Sequence, residues 1–159
     1  MKNIFNPAVI RSFGGRLILI SALALLFVTL SEVEGFAQCK GFVKKQITKL
    51  TPYIHNGQVN SSVLLSGDEA ELTLTFYAGQ TYRILVSHQE VLGDVYFTMK
   101  DAANTQVFNS KDQKDKAEFW DFSVESTQQM TVKVVVPNVD TPSGLVPSGC
   151  VSILVGFKQ

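Results

Sequence analysis

The sequence predicts one all-β domain, a single antiparallel β-sandwich of about eight or nine strands, carried behind a cleaved export signal. Three observations predict it. After the signal the apolar residues recur predominantly at every second position, the spacing of a half-buried strand, and not at every third or fourth. Clusters of Gly, Pro, Asn, Asp and Ser interrupt these runs at intervals of about 8–12 residues. The only two cysteines, Cys39 and Cys150, stand one near each end of the mature chain.

The export signal comes first. Lys2, Arg11 and Arg16 stand without an acid before Leu17 to Leu30, a continuous apolar run. That run is short of the roughly 20 residues a membrane span needs and fits the apolar region of a secretory signal. Arg16 bounds it on one side, Glu32 and Glu34 on the other. Gly35-Phe36-Ala37 places small residues where a signal peptidase reads, so residues 1-37 form the signal and 38-159 the β-sandwich domain. The expected location is secreted or periplasmic, with no stable membrane insertion of the mature chain. Two alternatives would hold the protein on the envelope: a signal left uncleaved, or a lipid on Cys39, although Gln38 stands where lipoprotein signals carry a small residue.

Removing Lys2, Arg11, Arg16, Glu32 and Glu34 from 14 basic and 14 acidic residues leaves a net charge of −1. No basic stripe remains, which argues against a nucleic-acid partner. Residues 38–159 suffice to bury one core.

The strands follow in order. Phe42 to Leu50 is ambiguous: its apolar positions 42, 43, 47 and 50 suit a helical stripe, whereas its β-branched content and setting favour a strand, which is the expectation here. Val63 to Leu65 is a short candidate. Glu71 to Tyr77 alternates strictly, with Leu72, Leu74 and Phe76 on one face and Thr73, Thr75 and Tyr77 on the other. Ala78-Gly79-Gln80 makes a hairpin link to Thr81 to Ser87, where Tyr82, Ile84 and Val86 point inward. Asp94 to Lys100 buries Val95, Phe97 and Met99, and Thr105 to Phe108 is a second short candidate. Glu118 to Glu125 contributes Trp120, Phe122 and Val124. Met130 to Pro137 contributes Val132, Val134 and Val136, and ends at a proline that has no N–H for a ladder. Cys150 to Lys158 closes the domain with Val151, Ile153, Val155 and Phe157.

In an oxidising compartment Cys39 and Cys150 have a single possible intramolecular pairing. A disulfide between them would tie the two ends of the domain together and keep the last strand from fraying.

Leu65-Ser66-Gly67-Asp68-Glu69-Ala70-Glu71, then Phe76-Tyr77-Ala78-Gly79-Gln80-Thr81-Tyr82-Arg83-Ile84, then Met99-Lys100-Asp101 resembles the jelly-roll-type β-sandwich of bacterial pre-peptidase C-terminal domains. The likeness spans about residues 65 to 157. It also extends to small secreted bacterial envelope proteins with no assigned activity. The resemblance implies a jelly-roll fold and an accessory, non-catalytic role. The chain departs from the family in carrying Asn104 where a later turn usually has Gly, and in standing alone instead of trailing a peptidase.

No residues announce catalysis. His55 and His88 lie in different loops, and zinc sites cluster their ligands. No nucleophile elbow of the G-x-S-x-G kind is present. Catalytic residues, metal ligands and cofactors are therefore expected to be none. The acidic loops, with Asp68, Glu69 and Glu71 in one and Asp101, Asn104, Asn109, Asp112 and Asp115 in another, leave calcium open. Lys100, Lys111, Lys114 and Lys116 offset the second set, and Asp and Asn suit turns for backbone reasons alone.

One surface feature stands out. Period two turns Tyr77, Tyr96 and Phe119 away from the faces that carry Phe76, Phe97 and Trp120. Exposed aromatics on a sandwich form a possible ligand platform for sugar rings or a partner protein. The alternative is that loops or the N-terminal segment cover the outer faces and these rings are packing residues. The functional expectation is a non-catalytic exported binding or scaffolding module whose partner is an unknown protein or glycan. A carbohydrate-binding module, and behind it a hydrolase accessory or an enzyme, are the other readings.

Overall fold

The computed structural model describes residues 34–113, 117–142 and 144–158. The chain divides into Met1–Glu34 and Gly35–Gln159. The expected signal lies outside the described residues as far as Val33.

The first described element is a helix, α1 (Glu34–Ile47), followed by a 3-10 turn at Thr48–Leu50. This corrects the strand expected over Phe42 to Leu50. Cys39, Val43 and Leu50 are buried, with Phe42 and Ile47 half-buried beside them, a spacing of three to four residues that a strand would scatter over both faces. Lys44 and Lys45 in the last turn complement the negative end of the helix. The apolar stripe therefore outweighed the β-branched content.

Nine strands follow: β1 (Ile54–His55), β2 (Asn60–Leu65), β3 (Glu69–Phe76), β4 (Gln80–His88), β5 (Tyr96–Lys100), β6 (Gln106–Asn109), β7 (Phe119–Val124), β8 (Gln128–Val135) and β9 (Ser148–Lys158). All pairings are antiparallel. One sheet runs β2-β9-β4-β7, with β1 continuing along the same edge of β9, and the other runs β3-β8-β5-β6. From β2 to β9 the chain crosses between sheets at every connection except β5 to β6. That is a jelly-roll order.

The period-two expectation holds on the inner faces. Phe76, Tyr82, Ile84, Val86, Phe97, Met99, Val132, Val134, Val151, Ile153 and Val155 form one continuous core. Along the β6/β7 side the sandwich is closed by rings: Phe108 stacks on Trp120 at 5.0 Å, and Trp120 on Phe122 at 4.4 Å. Phe76 then meets Phe122 and Tyr82 edge-on.

The outer faces of the two sheets differ. On the β2-β9-β4-β7 sheet, Leu85 and Leu154 are also buried, because Val43 and Leu50 of the N-terminal segment pack over them. The covered-face alternative therefore holds for this sheet. Cys39 and Cys150 are bonded, with Cα atoms 5.6 Å apart, and fasten α1 to β9. Gly156 lies where the chain crosses back over the sheet: a Cβ there would stand 2.7 Å from Tyr53 Cβ. The outer face of the other sheet is polar, with Glu71 opposite Lys133 and Thr73 opposite Thr131.

The turn chemistry also agrees with the sequence. Asn104 adopts φ 64°, a left-handed conformation that glycine reaches freely and asparagine tolerates. Asp101 caps the same turn, its Oδ1 accepting from the N–H groups of Ala103 and Thr105.

Candidate functional site

The structure does not bring Tyr77, Tyr96 and Phe119 together. Tyr96 shares a register row with Val135 and Glu69, at the start of β3. Tyr77 follows the other end of that strand. Phe119 lies in β7, in the opposite sheet.

Two of the three rings are clamped by cations. Lys111 Nζ sits 3.7 Å over the Tyr96 ring. The Arg83 guanidinium lies 4.1 Å over Phe119 and 4.6 Å over Tyr53. Arg83 also makes a two-pronged ion pair with Asp121, both contacts at 2.7 Å, and donates to the Thr51 carbonyl at 3.3 Å. The hydrogen bond to Asp121 raises the Arg83 pKa above its ordinary value, and the same bond holds the Asp121 carboxyl below its own. Every polar arm of this cluster is spent within the fold. Arg83 escaped the sequence reading, although it is the one arginine after Arg16 and sits in a strand on the face opposite Tyr82 and Ile84.

Tyr77 differs. It is 61% exposed, and among the described residues no ring or cation contact to it is found. Its backbone is nonetheless fixed. The Tyr77 N–H donates to Tyr82 Oη at 3.0 Å, the Ala78 N–H to Thr127 Oγ1 at 3.2 Å, and the Gly79 N–H to the Val124 carbonyl at 2.8 Å. Three successive amides anchored on three separate segments make a rigid base under a solvent-facing ring.

Tyr77 lines one end of a furrow on the side of the sandwich the aromatic stack leaves open. β3 is the edge of its sheet there, and β1 and β2 flank it on the other. Two hollows follow one another along β3. The first, of about 500 Å³, is walled by Asn56 and Gln58 on one side and Thr73 through Tyr77 on the other, with Gln80 at its end and Tyr82, Val155 and Phe157 below. Five consecutive β3-side residues of both side-chain parities line it, so this wall is the strand's backbone edge. The second, of about 290 Å³, lies between Val59–Ser62 and Ala70–Leu72 over Val134, Val151 and Ile153. Asn60 Nδ2 is buried there and has no hydrogen-bond partner among the described residues.

The wall facing Tyr77 is also held. The Asn56 N–H donates to the Val155 carbonyl, the Asn56 side chain accepts from the Gln58 N–H at 2.9 Å, and His55 Nε2 contacts the Gln58 carbonyl at 3.1 Å. Thus His55 serves a loop, and His88 lies elsewhere, against the Gln89 carbonyl. The acidic loops are likewise occupied. Asp68 accepts from the Leu65 N–H, and Glu69 and Glu71 pair with Lys133. No group of three or more His, Cys, Asp or Glu gathers as a metal site among the described residues, from which Asp115 is missing.

A disulfide-tied jelly roll with an open furrow is the class of protein these features define. No known family model and no curated protein matches the sequence. Among solved structures the chain is similar to PliG, a periplasmic inhibitor of g-type lysozyme. The Aeromonas hydrophila protein shares 12% identity over 64% of this chain and 85% of its own, at a TM-score of 0.45. An Escherichia coli PliG mutant shares 12% over 68% and 91%, at 0.40, and Salmonella Typhimurium PliG 11% over 64% and 86%, at 0.37. Likeness of this degree carries no functional assignment.

Proposed function

We propose that this protein is an exported binding module, secreted or periplasmic, that recognises an uncharged ligand in the furrow between β3 and β1/β2 and does no chemistry on it. Export follows from the signal-like N-terminus together with the Cys39–Cys150 bond, since structural disulfides persist in oxidising compartments. The furrow carries the rest. It is a preformed concavity of the size that holds small-molecule ligands, and the walls of its larger hollow are amides, hydroxyls, rings and backbone. An acid–base or nucleophilic mechanism needs a titratable group placed against a reacting atom. This hollow instead offers hydrogen bonds and apolar contact, which suit recognition.

The test is capture. The exported protein is immobilised and exposed to fractionated envelope extract, then compared with a Leu74→Trp variant, checked to be folded, whose side chain shares the inward face with Phe76 and so fills the larger hollow. Ligand retained by the native protein and lost by the variant supports the proposal. Retention by both sinks it, because binding would then lie outside the furrow. Inhibition of a g-type lysozyme that survived Leu74→Trp would sink it in the same way.

A further inference from the structure

Within the furrow, we infer that the Tyr77 end is a carbohydrate site taking the end of a neutral oligosaccharide. This rests on the furrow being the binding site.

A sugar ring has two chemical aspects. One face presents C–H bonds carrying small positive charge, and the rim presents hydroxyls that both donate and accept. The first wants the negative face of an aromatic ring, and the second wants groups that can also do both. Tyr77 supplies the ring, 61% exposed on a backbone fixed by three hydrogen bonds. Asn56, Gln58 and Gln80 supply amides around it, and Thr73 to Thr75 supply the adjoining strand edge. No Asp, Glu, Lys or Arg side chain lines this hollow, so charge plays no part in selection.

Preorganisation strengthens the inference. Binding costs the freedom of whatever becomes ordered, and here both walls are already tied down: Asn56 to β9 and to Gln58, Tyr77 to Gly79 to their three partners. The other two aromatics are unsuited to the same work. Phe119 and Tyr96 each already have a cation on a ring face. The platform expected of three rings thus reduces to one ring with an amide-lined cleft beside it.

The experiment titrates the 15N-labelled exported protein with neutral oligosaccharides of glucose and of N-acetylglucosamine, and with polygalacturonate as a charged comparator. At least one neutral sugar should bind below about 10 mM. Amide shifts should concentrate at Asn56–Gln58 and Tyr77–Gln80. Tyr77→Ala should weaken that binding at least roughly tenfold, the loss expected of a central aromatic contact. Tyr77→Phe should retain it, and Phe119→Ala should leave it unchanged. The inference is overturned if no neutral sugar binds, if polygalacturonate binds better than any of them, or if Tyr77→Ala binds as well as the native protein. Should Leu74→Trp abolish capture of an envelope component while no sugar binds, the furrow stands as a binding site and the carbohydrate assignment fails alone.

Discussion

Phe76 and Tyr77 are neighbours in sequence and should respond oppositely to truncation. Phe76 is 1% exposed, with its ring edge-on to Tyr82 at 4.9 Å and to Phe122 at 5.1 Å. Phe76→Ala removes a fully buried ring and leaves a cavity between two others, a change that costs about 3–5 kcal/mol. Tyr77→Ala removes a ring already 61% in water, and its three backbone anchors survive because they use main-chain atoms. Its cost should stay within about 0.5 kcal/mol, the range of ordinary surface substitutions. Urea unfolding followed by the fluorescence of Trp120, which stacks 4.4 Å from Phe122, measures both on one probe. The slope of free energy against denaturant should be common to the variants, so that the midpoint shift reports stability. A Tyr77→Ala penalty equal to that of Phe76→Ala would refute the reasoning: the ring would then be packed, and the carbohydrate site would lose its exposed face. The small expected penalty is what makes Tyr77→Ala a usable binding variant, since it should fold like the native chain.

Three further outcomes are expected. Replacing both Cys39 and Cys150 by Ser should cost about 4–5 kcal/mol on the chain-entropy account of a cross-link spanning 111 residues, with α1 amides losing hydrogen-exchange protection first; a loss under about 1 kcal/mol would leave the bond structurally idle. Gly156→Ala should destabilise by about 1–3 kcal/mol, because the added methyl meets Tyr53 Cβ, which belongs to a packed residue and not to the end of a flexible one; an unchanged melting temperature would contradict the close crossing. Asp121→Asn should change the acid limb. The Arg83 bond holds the Asp121 carboxyl below the ordinary 3.8, so its contribution is complete above that value and lost as the pH falls through the folded-state value; the stability gap between native and Asp121→Asn should therefore narrow in strong acid, and a gap that widened there would reverse the sign of the interaction.

The strands themselves were legible. Expected Glu71 to Tyr77 is observed as Glu69–Phe76, and expected Cys150 to Lys158 as Ser148–Lys158. Strand alternation is a local property of the backbone, so Leu72, Leu74 and Phe76 must share a face whatever lies opposite. The turn at Ala78-Gly79-Gln80 was readable for a similar reason: Gly79 sits at φ +79°, a conformation that glycine reaches at little cost. The helix was harder. From Phe42 to Leu50 two local signals conflicted, and the deciding fact was a distant one, the apolar outer face at Leu85 and Leu154 that the helical stripe covers.

The amino-acid sequence by itself determined the period of each element, the positions of its turns, the two-sidedness of its strands and the one possible disulfide, because each depends on residue type and near neighbours. Only the tertiary structure decided that β9 lies between β2 and β4, that Arg83 finds Asp121 across 38 residues, and that Tyr77 and Asn56 line one open furrow while Tyr96 and Phe119 are held under cations. Those facts are long-range. They follow from which strand edges pair and which are left at the margin, and pairing is settled by the summed burial of the whole core rather than by any segment in it.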